Sequence, residues 1–232
     1  MFTRLKTHSR LNETIFLGTL SILCFSLSVF RAGFANNKLF LFLNWNLFLA
    51  FLPWLFSSIL IINPKWQQKK LILILLLFSW ILFFPNAPYI LTDLFHLRLK
   101  TSMPVWFDLV LILSFAWTGL LFGFMSLWDL EFILRKKINH RIIPIFSSML
   151  LFTGGFGIYL GRYLRWNSWD IIRNPFGLID DISDRFINPL DHPRTWGMTF
   201  FMGLFLNIIY WSFKLIRHKN INELNFKSEK SS

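Results

Sequence analysis

Phe84-Pro85-Asn86-Ala87-Pro88-Tyr89-Ile90-Leu91-Thr92-Asp93-Leu94-Phe95-His96 closes an apolar run that begins at Leu71. Proline lacks the amide proton a helix interior needs, and it pushes the residue before it away from helical geometry. Two prolines three residues apart predict that the helix kinks or breaks between Phe84 and Tyr89. Asn86, Tyr89, Thr92, Asp93 and His96 gather at that break. In hydrocarbon, polar groups on irregular backbone persist only where protein or a water-filled cavity surrounds them. The stretch therefore reads as the floor of a polar site inside a membrane-embedded helical bundle.

The rest of the chain supports a membrane setting. Of 232 residues, 54% are apolar and only 16% charged, whereas soluble domains are about a quarter charged. Six runs approach the length of about 20 residues that crosses a hydrocarbon core, at roughly 14–33, 39–62, 71–91, 105–127, 142–164 and 197–216. The expected fold is all-α: a polytopic bundle of about six transmembrane helices, one domain over residues 1–217, with a loose polar cytoplasmic tail at 218–232. Arg4, Lys6 and Arg10 before the first apolar run imitate a signal peptide, but that run is long enough to remain as an uncleaved helix. The single cysteine, Cys24, makes no intramolecular disulfide and argues against a cysteine-based zinc site. The net charge of +12 flanks apolar spans rather than forming a stripe clear of the membrane. Lipid headgroups are thus the expected partners, and nucleic acid is not.

Orientation follows from Lys and Arg. With the N-terminus inside, fifteen of the 24 basic residues fall in cytoplasmic segments and nine in outer ones, so both termini are expected in the cytoplasm. Four polar sets then converge on the outer face: Asn44, Trp45 and Asn46; Asn86 to His96; Trp106 and Asp108; and Arg162, Arg165, Asn167 and Asp170. The inner face reads as basic clusters with no such constellation. Convergent polar groups in an apolar bundle mark a site. In the longest loop, Leu178, Ile182 and Phe186 recur every fourth residue opposite Asp180, Asp181 and Asp184, between Pro175 and Pro189. That pattern predicts a short interfacial helix at the outer surface or capping the bundle. Gly119-x-x-x-Gly123 and Gly157-x-x-x-Gly161 are close-packing patterns, read as internal packing. An association with another membrane protein or with a second copy stays open.

Pro85-Asn86-Ala87-Pro88-Tyr89-Ile90-Leu91-Thr92-Asp93-Leu94-Phe95-His96-Leu97, then Trp106-Phe107-Asp108, then Gly161-Arg162-Tyr163-Leu164-Arg165-Trp166-Asn167-Ser168-Trp169-Asp170, resemble a bacterial family of multi-pass membrane proteins catalogued only as a domain of unknown function. The resemblance covers about 44–211. It implies residence in a bacterial cytoplasmic membrane and carries over no activity.

The candidate binding residues are therefore Asn44, Asn46, Asn86, Tyr89, Asp93, His96, Asp108, Arg162, Arg165, Asn167 and Asp170. Asp93, His96 and Asp108 would supply an oxygen-and-nitrogen metal set or an acid–base pair, although no HExxH pattern accompanies them and neither metal nor cofactor is expected. Against that stands a structural junction in which Asp93 or Asp108 pairs with Arg162 or Arg165. Arg98, Arg162 and Arg165 would suit an anionic group, or else anchor in headgroups. No nucleotide-binding loop, serine nucleophile elbow or Cys–His pair is present. Three functions compete: an outward-facing binding or transport-like protein for a lipid headgroup or small anion, a membrane enzyme acting on lipid or lipid-linked substrates, and a structural assembly subunit.

Overall fold

The computed structural model describes the backbone of residues 2–97 and 103–230, and the side chains of 10–97 and 103–217. Arg98, expected to contribute to an anion site, lies outside the described residues. The chain runs through α1 (Phe2–Phe34), α2 (Phe42–Ile62), α3 (Lys70–Phe83), α4 (Asn86–Tyr89) with a 3-10 extension (Ile90–His96), and α5 (Val105–Leu134). It continues through α6 (Ile143–Tyr163), α7 (Asp170–Arg173), α8 (Pro175–Ile187), a 3-10 turn (Pro189–Asp191) and α9 (Pro193–Lys230). There is no strand among the described residues.

Six helical segments are long and apolar enough to cross a membrane: Arg10–Phe34, Phe42–Ile62, Lys70–His96, Val105–Leu134, Ile143–Tyr163 and Pro193–Arg217. The protein is an all-α, multi-pass integral membrane protein. Two expected boundaries move. The fifth helix continues to Leu134, well past residue 127, and α9 stays helical to Lys230.

The six spans alternate in direction. Together they give the bundle an end where α3 breaks, called here the break end, and an opposite end holding the start of α1 and the close of α5. Helix α2 lies along α5 and α3, and α6 lies along α9. One apolar core joins α1, α2 and α5 around Leu43, Ala50, Leu111 and Phe115; a second joins α3, α5, α6 and α9 around Trp80, Leu127, Leu151 and Tyr210.

Segment α4 sits between the two cores because both glycine pairs make room for it. A Cβ on Gly119 would lie 2.9 Å from the Ala87 carbonyl oxygen and from Ile90 Cδ1, and one on Gly123 would lie 2.8 Å from Ala87 Cβ. From the other side, a Cβ on Gly157 would meet the Pro85 ring at 2.5 Å, and one on Gly161 the Tyr89 ring at 3.0 Å. The two small-residue faces read as packing signals thus serve one element, the proline segment. Gly155 serves α9 instead, where a Cβ would stand 2.8 Å from the Thr199 carbonyl oxygen.

The break itself follows from the missing amides. Pro85 and Pro88 cannot donate to the carbonyls four residues before them. The Ala87 N–H turns to the Phe84 carbonyl instead (3.1 Å), closing a tighter turn. Asn86 Nδ2 donates to the Phe83 carbonyl (2.9 Å) and to Ser168 Oγ (3.0 Å), and Ser168 Oγ donates to the Leu82 carbonyl (2.9 Å). A serine from the loop after α6 is thereby tied to the broken backbone. A lone proline, Pro53, remains inside a continuous α2.

Candidate functional site

A cleft of about 400 Å³ opens beside the break, lined by α2, α3, α4, α6 and the loop that carries α7 and α8. Its apolar part is Ile81, Leu82, Pro85, Phe156 and Leu160; its polar part is Asn46, Asn86, Tyr89, Asn167 and Ser168. Thr153, exposed and on the rim, lies ten residues before the last residue of α6, so at 1.5 Å per residue the cleft reaches about 15 Å down the span. Ile81 is exposed as well. The cleft is therefore open on the flank of the bundle as well as near its end.

Helix α8 closes the upper side. Asn174 caps it by accepting from the Gly177 N–H (3.1 Å), and Pro175 occupies its first turn. Leu178 and Ile182 face the cleft, while Phe186 packs against Trp196 and Phe156 at centroid distances of 5.1 and 5.8 Å. The polar side is tied down as well. Asp181 accepts from Trp166 Nε1 (2.7 Å) and from Arg185 (3.0 Å), and Asp184 bonds Asn188 Nδ2 (2.9 Å) and His192 Nε2 (2.7 Å). The amphipathic segment thus caps the bundle, and the bonds from Asn188 first and His192 second hold the Asp184 carboxyl below the usual carboxylate range.

Behind the polar part of the cleft lies a buried ion pair. Asp93 is 1% exposed and accepts from Arg162 Nη2 at 2.6 Å and from Asn46 Nδ2 at 2.9 Å. Arg162 also donates to Thr92 Oγ1 through Nε (2.9 Å) and Nη2 (2.7 Å), and its guanidinium stacks 4.5 Å from the Tyr89 ring centroid. The pair joins α6 to the 3-10 extension and, through Asn46, to α2. A charge inside a membrane span is normally satisfied in this way.

Several sequence-based groupings are corrected here. Asp108 does not meet Asp93 and His96. It is fully buried and binds Arg31 of α1 with two bonds, to Nε at 3.0 Å and Nη2 at 3.3 Å, with that guanidinium over the Phe40 ring. His96 is partly exposed, packs on Phe42 and holds Nδ1 3.7 Å from Asp93 Oδ1. Among the described residues no group of three His, Cys, Asp or Glu side chains comes together as a metal site. Arg165 does not share a helix face with Arg162. It follows the helix end with φ of 62° and is exposed, and the Trp166 N–H closes back on the Leu160 carbonyl. Asn44 turns towards α1 and donates to Ser28 Oγ (2.9 Å). Asp170, the first residue of α7, accepts from the Asn167 backbone and side chain (2.7 and 3.1 Å).

The opposite end is not the plain basic surface expected. Arg10 forms two bonds to Asp129 (3.0 and 2.7 Å) and one to Glu13 (2.8 Å); Ser57 donates to Asp129 (2.6 Å), and Arg10 also bonds Ser58. Two residues along α5, Glu131 is 3% exposed and accepts from Lys214 Nζ (2.7 Å), Tyr210 OH (2.7 Å) and Ser147 Oγ (2.7 Å). These two clusters bind α1 to α2 and α5, and α9 to α5 and α6. Their signal in the sequence was Asp129 and Glu131 themselves, acids at the end of an apolar run beside many bases.

Residues 45–209 match the family model described as "Protein of unknown function (DUF1361)". No curated protein and no solved structure matches the chain.

Proposed function

The chain belongs to the DUF1361 family, and on that premise we propose that it is a lipid-binding protein of the bacterial cytoplasmic membrane, holding one amphiphile in the cleft beside the proline break. The observation that carries this reading is the cleft's two-part lining. Its lower part is aliphatic and aromatic and open on the membrane flank, while its upper part gathers Asn46, Asn86, Tyr89, Asn167 and Ser168 under α8. A headgroup fits the upper part and its hydrocarbon the lower. A volume of about 400 Å³ lies within the range of ordinary ligand sites, about 300–1,000 Å³. Asp93 and Arg162 brace the wall of this cleft, since each already has its partners within the bundle.

The proposed orientation puts the break end outside and both termini in the cytoplasm. Its support is the excess of Lys and Arg at the opposite end. A cysteine introduced at exposed Ile179 of α8 in a Cys24→Ser background is expected to react with an impermeant thiol reagent in intact cells; reaction only after lysis reverses the orientation. Binding is tested with Thr153→Trp. Thr153 is exposed on the cleft rim, so the indole narrows the cleft without entering the packed core. Wild-type protein purified in mild detergent is expected to retain about one lipid per chain and the variant to lose it, with equal yield. Equal lipid retention by the two proteins removes the reading.

A further inference from the structure

Resting on the lipid-cleft reading, we infer that the headgroup held there is a neutral, hydroxyl-bearing one, a glycosyl group on a lipid, and not a phosphate, carboxylate or ammonium group. Two observations carry this. First, among the described residues the lining contains no charged side chain. An ion of either sign seated among these residues would be stripped of water without a counter-charge, which is strongly unfavourable. The Arg162 guanidinium is committed to Asp93 and Thr92 and does not line the cleft.

Second, each amide nitrogen of the cleft is held by the protein, with Asn86 using both of its N–H donors and Asn46 and Asn167 one each, and every amide oxygen is left free as an acceptor. Asn46 Nδ2 gives its hydrogen bond to the Asp93 carboxylate, Asn86 Nδ2 to the Phe83 carbonyl, and Asn167 Nδ2 to the Asp170 carboxylate. Each of these partners can only accept, so each carboxamide is fixed with its nitrogen towards the protein. The three side-chain oxygens, Oδ1 of Asn46, Asn86 and Asn167, take no hydrogen bond from a described residue. Ser168 donates to the Leu82 carbonyl and Thr153 to the Met149 carbonyl, which leaves lone pairs there as well. The side-chain donors of the lining without a protein acceptor are the Tyr89 hydroxyl, the Trp45 indole N–H and the second N–H of Asn46 and of Asn167. A ligand that satisfies three amide oxygens must bring O–H or N–H groups. Hydroxyls do so without charge, and they use the same Tyr89 and Trp45 donors in return. The exposed Trp45 ring, with Trp169 beside it at 6.2 Å, adds an apolar face of the kind a sugar ring lies against.

Nanodiscs containing the protein and equal mole fractions of a monoglycosyl diacylglycerol, phosphatidylethanolamine and phosphatidylglycerol are dissolved in mild detergent. The lipid retained per chain is then read by native mass spectrometry. The glycosyl lipid is expected at about tenfold excess over the other two, the ratio a difference of one or two neutral hydrogen bonds sets. That excess is expected to fall several-fold in Asn167→Ala, whose side chain is exposed and can be removed without disturbing the core. Preferential retention of either phospholipid, or equal retention of all three, overturns the headgroup inference while leaving the cleft reading intact if Thr153→Trp abolishes it. Retention that Thr153→Trp does not change overturns both.

Discussion

Replacing Gly157 with alanine places a methyl group where the Pro85 ring stands. The added Cβ would lie 2.5 Å from both Pro85 Cβ and Cγ, against an optimum of about 3.5–4.0 Å between carbon atoms. A flexible side-chain tip could swing aside; a proline ring fused to backbone cannot. Either α6 or the α4 segment must therefore move by about 1 Å, and Ala87 is already pressed against Gly123 and Gly119 on its far side. Overpacking of this kind destabilises by about 1–3 kcal/mol. Gly18 supplies the control, because a Cβ there meets nothing within 4 Å, and alanine in that exposed stretch of α1 gains up to about 1 kcal/mol of helix propensity. Unfolding of the two variants in detergent, followed by far-ultraviolet circular dichroism against added dodecyl sulfate, measures the contrast. The expected order of stability is Gly18→Ala, wild type, Gly157→Ala. A Gly157→Ala protein as stable as wild type would refute the claim that α4 is clasped between two glycine faces.

The Arg31–Asp108 pair gives a second expectation. Removing the acid, as in Asp108→Leu, leaves the buried Arg31 guanidinium without its carboxylate and is expected to cost about 3–5 kcal/mol, whereas Arg31→Met with Asp108→Leu recovers part of it; a double-mutant cycle measures both. Asp184 gives a third, outside the spans. Its carboxyl is held below its ordinary range in the folded protein. The bonds it makes therefore stabilise α8 fully above the ordinary carboxylate range and weaken as pH falls through the lowered folded value. The protection of the 175–187 amides against hydrogen exchange, relative to their intrinsic rates at each pH, is expected to fall on acidification and to lose that pH dependence in Asp184→Asn.

Much of the fold was legible because each element depends on local pattern. Apolar length marked the six spans, the paired prolines marked a break between Phe84 and Tyr89 where α3 gives way to α4, and the recurrence of Leu178, Ile182 and Phe186 at every fourth position marked α8. The Gly-x-x-x-Gly pairs were readable as packing, but not that both embrace one segment. Ion pairing was the least legible property, because it depends on which helices become neighbours. Asp108 of α5 found Arg31 because α1 lies alongside it, and Arg162 found Asp93 across the break. Arg165, three residues on from Arg162, left the shared face because the helix ended first and the chain turned through a left-handed residue. Arg10 and Lys214 resembled headgroup anchors until α5 proved seven residues longer than its apolar run and carried Asp129 and Glu131 to them.

The central claim is that the break creates a binding cleft distinct from the general lipid-facing surface. A photo-crosslinking amino acid at Leu160, which lines the cleft, and another at Phe201, which is 69% exposed on α9, test it most directly. Illumination of membranes followed by mass analysis of the adducts is expected to give one dominant lipid species at position 160 and the bulk lipid mixture at position 201. The same bulk mixture at both positions would contradict the account.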